Sequence, residues 1–244
     1  MSNALVTAIQ SMQNDLQNMD IISQNMVNIA TPGYKRAIPV AHSFGEAMRV
    51  AGMADKGTTL NVPMPTLESV LDISTGPIKQ TGRPWDLAIG GDGYFELATP
   101  DGPAYTRAGN FRLDGSGRLV SESGFAVQGT GGDIVLNGSG ATIDHTGRIT
   151  QQDDTLGQLK VVQFKDSKAL VKTVGGLLRP ADAASKGTDI APELQVGYLE
   201  NSNVAPMREM VSMMETTRHF ESAQKLFQGY DDMLGTAIQK LGEF

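Results

Sequence analysis

The sequence contains no cysteine, which excludes disulfides and every thiolate metal site and suits a chain that travels unfolded or stays clear of redox chemistry. Aromatics are scarce, 6% with one tryptophan, so an aromatic binding platform has little material. Positive charge is in deficit: 20 Lys and Arg stand against 27 Asp and Glu, a formal net charge of −7 with no basic cluster, which argues against a nucleic-acid surface. No run approaches the roughly 20 apolar residues of a membrane-spanning helix, so membrane insertion is not expected. The N-terminus lacks the charged and apolar regions of a cleavable export signal, so a route out of the cytosol, if taken, is expected to use none. What the chain has is length and glycine. Its 244 residues, 40% apolar, suffice for one large or two modest domains, and 28 glycines point to tight-turn β structure.

The two ends read as helices. Met213, Phe220, Phe227, Leu234 and Leu241 recur every seven residues, flanked by Met210, Ala223, Ala237 and Ile238. An ideal helix drifts only about 20° per heptad against such a repeat, so the stripe stays on one face. Pro206 fits the first turn of this helix, where a missing N–H is harmless. At the other end Leu5, Met12, Met19 and Met26 repeat at sevens and interleave with Ile9, Leu16, Ile22 and Ile29, on a polar face of Gln, Asn, Ser and Asp. Methionine is frequent in both stripes, and its adaptable side chain suits packing against neighbours in non-identical settings.

Between the ends the pattern changes. Pro32-Gly33 stops the first helix near Ile29 or Ala30, and Thr31 before proline is pushed out of the α region. From there to Ser74 prolines and glycines break every period, giving an extended connector in which His42 to Met53 has the makings of a short helix. From Thr75 to Gly197 the period is near two. Trp85, Leu87 and Ile89 alternate with Asp86 and Ala88 before the turn Gly90-Gly91-Asp92-Gly93, and Leu159 to Phe164 reads as a buried central strand. The octet Leu113-Asp114-Gly115-Ser116-Gly117-Arg118-Leu119-Val120 returns thirty residues later as Ile143-Asp144-His145-Thr146-Gly147-Arg148-Ile149-Thr150. In each, Asp caps its own backbone, Gly takes the positive φ and Arg points outward. Tyr105-Thr106-Arg107 reads either as an ordinary strand or as exposed interface residues. The expected fold is α+β: N- and C-terminal helices (1–32 and 206–244) forming a coiled-coil-like domain, an extended connector (33–74) and a central antiparallel β domain (75–205).

Catalytic and cofactor chemistry finds no support. Gly90, Gly91 and Gly93 do not open a helix in a βαβ unit, and no G-x-x-x-x-G-K-[ST] occurs. His42, His145 and His219 have no second histidine at ligand spacing, and Asp114-Gly115-Ser116-Gly117 lacks the glutamate that closes a calcium loop. No Ser-His-Asp set or paired acid and base is legible, so no enzyme, metal or cofactor is expected.

Three stretches together carry a resemblance. Ser23-Gln24-Asn25-Met26-Val27-Asn28-Ile29-Ala30-Thr31-Pro32-Gly33-Tyr34-Lys35-Arg36 is similar to a signature in which two asparagines three apart precede T-x-G-[FY]-[KR]. Asp86 to Phe95 with Tyr105 to Phe111, and then Gly197 to Val204 with Met214 to Phe220, follow in the order seen in the axial family of the bacterial flagellum, the rod and hook proteins. One departure is Val27, where the family usually carries a small residue, which bears on how closely helices approach at that turn. Length and a short connector resemble the proximal-rod type more than the distal-rod type, and the much larger hook protein least.

The resemblance implies a structural subunit of the basal-body rod, spanning the periplasm. Such a subunit is exported unfolded by the flagellar type III apparatus and polymerises with itself and other rod subunits, with hook and ring proteins as further neighbours. It would carry torque from motor to hook, its terminal helices forming the inner layer. The assembly interface would then comprise Leu5, Ile9, Met12, Leu16, Met19, Ile22, Met26, Met213, Phe220, Phe227, Leu234 and Leu241 from the stripes, and Asn25, Asn28, Thr31, Gly33 and Tyr34 from the signature. Asn25 and Asn28 are expected to satisfy backbone or neighbouring-chain groups. The alternative is a binding module for carbohydrate or peptide, its helices folded back as a private stalk, which would need an exposed aromatic platform.

Overall fold

The computed structural model describes residues 2–40, 68–136, 140–151, 154–165, 170–181 and 187–242, with 2–7, 68, 174, 234 and 237–242 in backbone only. Most of the expected connector, with its short helix from His42 to Met53, lies outside the described residues, as do the side chains of Leu5, Leu234 and Leu241. The chain forms two units. One holds Met1–Val27, Ala37–Val70 and Ala205–Phe244; the other holds Asn28–Arg36 and Leu71–Val204.

In the helical unit, α1 spans Ser2–Val27 and α2 spans Pro206–Gly242. Proline stands at the first position of α2, and the Glu209 N–H closes the first turn on the Ala205 carbonyl. The helices run antiparallel, because Asn25 meets Glu209, Met19 meets Thr217 and Asp15 meets His219. The strand Ala37–Val40 pairs with Glu68–Leu71 in a two-stranded sheet.

The coiled-coil-like domain in the expected α+β class is corrected by this packing. The described residues hold two long helices, one at each end, and a large body rich in antiparallel sheet. The helix side chains that are buried are Asp15, Ile22, Asn25, Glu209 and Ala223, three of them polar, whereas the heptad positions Ile9, Leu16 and Phe227 are 39%, 50% and 40% exposed. The helices therefore meet at polar rungs beside Ile22 and Ala223, and their described side chains form no continuous heptad seam. A seven-residue stripe drifts about 20° per heptad around a straight helix, so periodicity alone does not keep every stripe residue against the partner.

The β unit is built around Tyr94–Thr99, which pairs antiparallel with Gly102–Thr106, Ala126–Gly129 and Val161–Gln163 inside a ten-stranded sheet. Successive side chains of a strand point to opposite faces. Accordingly Phe95 and Leu97 enter one core, with Leu87, Leu119, Val127, Ile149 and Leu159, while Tyr94 enters a second with Tyr105, Val162, Phe164 and Leu178. Phe95 and Phe111 meet edge to face at 5.0 Å, and Tyr105 and Phe164 at 4.7 Å. Around Leu87–Ile89 the expected alternation is absent: Asp86, Leu87, Ala88 and Ile89 are all buried, since this strand pairs with Leu194–Val196 and is covered on both faces. The twin octets fold as expected. Asp114 accepts from the Ser116 and Arg118 N–H groups and Asp144 from those of Thr146 and Arg148, with Gly117 and Gly147 at φ +79° and +72°.

Candidate assembly site

The helical unit brings some of the expected interface residues together and leaves others on the surface. Ile22 and Asn25 are buried; Met12, Met19, Met26, Met213 and Phe220 are half-buried; Ile9, Leu16 and Phe227 are exposed. Asn25 acts as a backbone surrogate. Its side-chain amide donates to the Ala37 carbonyl at 2.8 Å and to Glu209 Oε2 at 3.2 Å, and its Oδ1 accepts the Ala37 N–H at 2.9 Å. Val27, the departure from the signature, is 78% exposed.

A second apolar face of α2 went unread. Met207, Met210, Val211 and Met214 follow one another at spacings of three, one and three, which places them on one side of a helix, and they are 74%, 47%, 46% and 54% exposed. Met210 stands at the edge of this face, flanking the heptad stripe at Met213. Further along, Leu226 and Met233 are 72% and 63% exposed. The helical spacing of the first four was the available signal, masked by a stronger seven-residue repeat on the same segment.

The remaining signature residues build a clasp inside the β unit. Asn28 is half-buried and Thr31 exposed, and they close a turn in which the Thr31 N–H donates to the Asn28 carbonyl at 3.1 Å. Gly33, at φ +67°, lies so close to the Arg107–Ala108 backbone that any Cβ would collide with it, and its N–H donates to the Glu200 carbonyl at 2.7 Å. Tyr34 is buried, with the Lys172 ammonium 3.3 Å above its ring. Lys35 Nζ donates to Glu200 Oε1 and to the Ser74 carbonyl, each at 2.7 Å, and the Gly76 N–H donates to the same carboxylate oxygen at 3.0 Å. Arg107 Nε stands 3.5 Å from the other oxygen, Oε2. Asn203 closes the ring: its Oδ1 accepts the Arg36 N–H at 2.7 Å, and its amide donates to the carbonyls of Asp72 and Ser74 at 2.9 and 3.1 Å.

Burial governs the electrostatics here. It pushes the Lys35 amine below its ordinary value, against the hydrogen bond and charge of Glu200, and the Arg107 charge adds to the lowering. Burial likewise pushes Lys172 down to about 8. Tyr105 and Arg107, open in the sequence to an exposed interface reading, are only 8% and 3% exposed and serve the core and the clasp. No tyrosine is exposed, and Trp85 packs half-buried on the core, so the described residues show no aromatic platform for a carbohydrate or peptide. Among the described residues no cluster of His, Cys, Asp and Glu is arranged to hold a metal, and no helix is long and apolar enough to cross a membrane.

Two long terminal helices with apolar side chains left uncovered, and a β body clasped where the chain enters and leaves it, define a structural subunit of the assembling kind. The comparisons with known proteins say which. Residues 195–240 match the family described as flagellar basal body rod FlgEFG protein C-terminal, and residues 88–151 that described as flagellar hook protein FlgE/F/G D1 domain. The flagellar basal-body rod protein FlgG of Bacillus subtilis is 32% identical, over 96% of this chain and 97% of its own length. The rod protein FlgF of Salmonella typhimurium is 30% identical over 99% of both chains, and that of Caulobacter vibrioides 27% over 100% of this chain and 99% of its own. The chain belongs to the flagellar basal-body rod protein family and is a structural subunit of the rod.

Proposed function

We propose that the helical unit of this subunit supplies the contacts by which it joins copies of itself and other rod proteins. The reading rests chiefly on the apolar side chains left open on both helices, Ile9 and Leu16 on α1 and Met207, Met210, Val211 and Met214 on α2. Contiguous exposed apolar side chains mark interaction surfaces. These two sets differ from each other, which suits a heterologous contact that propagates into a filament. The expected interface residues Met12, Met19, Met26, Met213, Phe220 and Phe227 flank the same surfaces, with Leu5, Leu234 and Leu241 continuing the stripes in sequence. Asn25, Gly33 and Tyr34 contribute by shaping the subunit, and Asn28 and Thr31 by holding the turn between them.

In this reading the assembled rod spans the periplasm and carries torque from motor to hook by mechanical contact alone, with no catalytic step. The flagellar type III apparatus exports the chain unfolded, a route that the absence of cysteine favours. Hook and ring proteins are further neighbours. Because the chain is cysteine-free, pairs of introduced cysteines report contacts without background. Full chain carrying Leu16→Cys and Met210→Cys, expressed in a strain lacking its own copy, is expected to give oxidant-dependent ladders of crosslinked subunits in isolated basal bodies. Crosslinks absent from basal bodies that contain the protein would count against these faces as the interface.

A further inference from the structure

Four passages of the chain lead from one unit to the other, after Val27, Arg36, Val70 and Val204, and inside the β unit the residues beside the last three are fastened to each other. Arg36 accepts the Asp72 N–H on its carbonyl at 2.8 Å and gives its own N–H to Asn203, whose N–H turns back to the Tyr34 carbonyl at 3.4 Å. Beneath this ring sit two cations and one carboxylate, Lys35, Arg107 and Glu200, at 3%, 3% and 1% exposure.

The cluster is a poor source of stability by its own geometry. Lys35 and Glu200 are well paired, but Arg107, 3.5 Å from Glu200 Oε2 and 5.6 Å from the Tyr94 ring, leaves its Nε and Nη1 and that Oε2 without a hydrogen bond. Desolvating three charges for one good pair is a losing exchange against an apolar filling of the same volume. What such a cluster does supply is uniqueness. An apolar contact survives a slip of one residue, whereas a slip here strands a buried charge.

We propose that the Lys35–Arg107–Glu200 cluster is a registry clasp: it determines which residues of the passages after Arg36, Val70 and Val204 meet, and so holds the rod subunit in one conformation under torque, without adding net stability. The proposal rests on the torque-carrying reading above. Load entering the β unit through the passage after Arg36, Val70 or Val204 is shared at once with the other two, because the residues beside these three are bonded to one another at the clasp. Lys35, Arg107 and Glu200 are positioning residues in this account.

The test compares Glu200→Gln with the triple variant Lys35→Met, Arg107→Met, Glu200→Leu in the full chain. Purified protein is followed by thermal melting and by amide exchange over 28–36 and 198–204, and cells carrying each variant are followed swimming in media of rising viscosity. The triple variant is expected to melt at or above the wild-type temperature, to exchange at least tenfold faster over 28–36, and to swim in dilute medium yet stall at viscosities the wild type tolerates. Glu200→Gln, which leaves two buried cations facing a neutral amide, is expected to melt well below both. A triple variant that fails to fold, or melts as low as Glu200→Gln, makes the cluster a stabiliser and overturns the proposal. So does one with wild-type exchange or wild-type swimming at every viscosity. Restoration of swimming by the wild-type chain tests the rod reading separately; the melting and exchange data judge registry, and the viscosity series judges its role under torque.

Discussion

Gly33 tolerates no side chain, for two independent reasons: its φ of +67° lies in the left-handed region, and the Arg107–Ala108 backbone occupies the space a Cβ would need. Gly33→Ala is expected to destabilise the β unit by about 1–3 kcal/mol from backbone strain alone, measured by urea unfolding of the full chain; an unchanged midpoint would mean that the turn is not held as described. Lys172 gives a pH dependence of opposite sign to the usual one. Burial pushes it down to about 8, although the Tyr34 ring below favours the charged form. The unfolded chain keeps that proton to about pH 10.4. Between those values unfolding takes up a proton, so this residue makes stability rise with pH. Wild type minus Lys172→Met is expected to show that rise in melting temperature from about pH 8 to 10, the folded and unfolded limits of the same titration; a flat difference would place the ammonium in water. The sequence flagged Asn25, Gly33 and Tyr34 through their motif. Glu200 stood in the Gly197 to Val204 stretch, but nothing paired it with Lys35, 165 residues away, and alternation at Tyr105-Thr106-Arg107 told which side chains share a face but not which face is covered.

At the scale of elements, the turns were the most legible parts because their chemistry is local. The octets around Asp114 and Asp144 announce their turns by an Asp, a Gly three residues on and an outward Arg, and each Asp forms the bonds that spacing implies. Both carboxylates are held below the ordinary range, Asp114 chiefly by the Ser116 hydroxyl and Asp144 chiefly by that of Thr146. A lowered folded value means stability that is present above the unfolded pKa of about 3.9 and lost as pH falls through the folded one. The Asp114→Asn, Asp144→Asn double variant is therefore expected to lose less stability than wild type on acidification below about pH 4, measured by melting; parallel acid profiles would contradict the turn bonds. The helices were legible as helices and misread as a seam. Periodicity locates apolar side chains on a cylinder, but which face meets the partner was decided by Asp15, Asn25 and Glu209, polar residues that a hydrophobic pattern ignores. Met210→Asp and Met214→Asp lie off that contact, so each is expected to leave the melting temperature within a few degrees, as surface changes of about ±0.5 kcal/mol do, while blocking incorporation into basal bodies. A variant that incorporates normally would remove this face from the interface.

For the whole molecule, the β unit and the helical unit carry different burdens. The β unit closes two cores of its own and clasps its chain ends, and is expected to stand folded by itself. Among its described residues the helical unit buries few large apolar side chains and leaves many uncovered, so its stability is expected to come from neighbours in the rod. The most direct measurement is amide hydrogen exchange on dilute monomer and on assembled rod, following 8–27 and 206–233 separately from 86–165. The account predicts slow exchange across the β unit in both states, and fast exchange in the two helices of the monomer that becomes slow on assembly. Helices already protected in dilute monomer, with no change on assembly, would show a finished helix pair that owes nothing to its neighbours and would contradict the account.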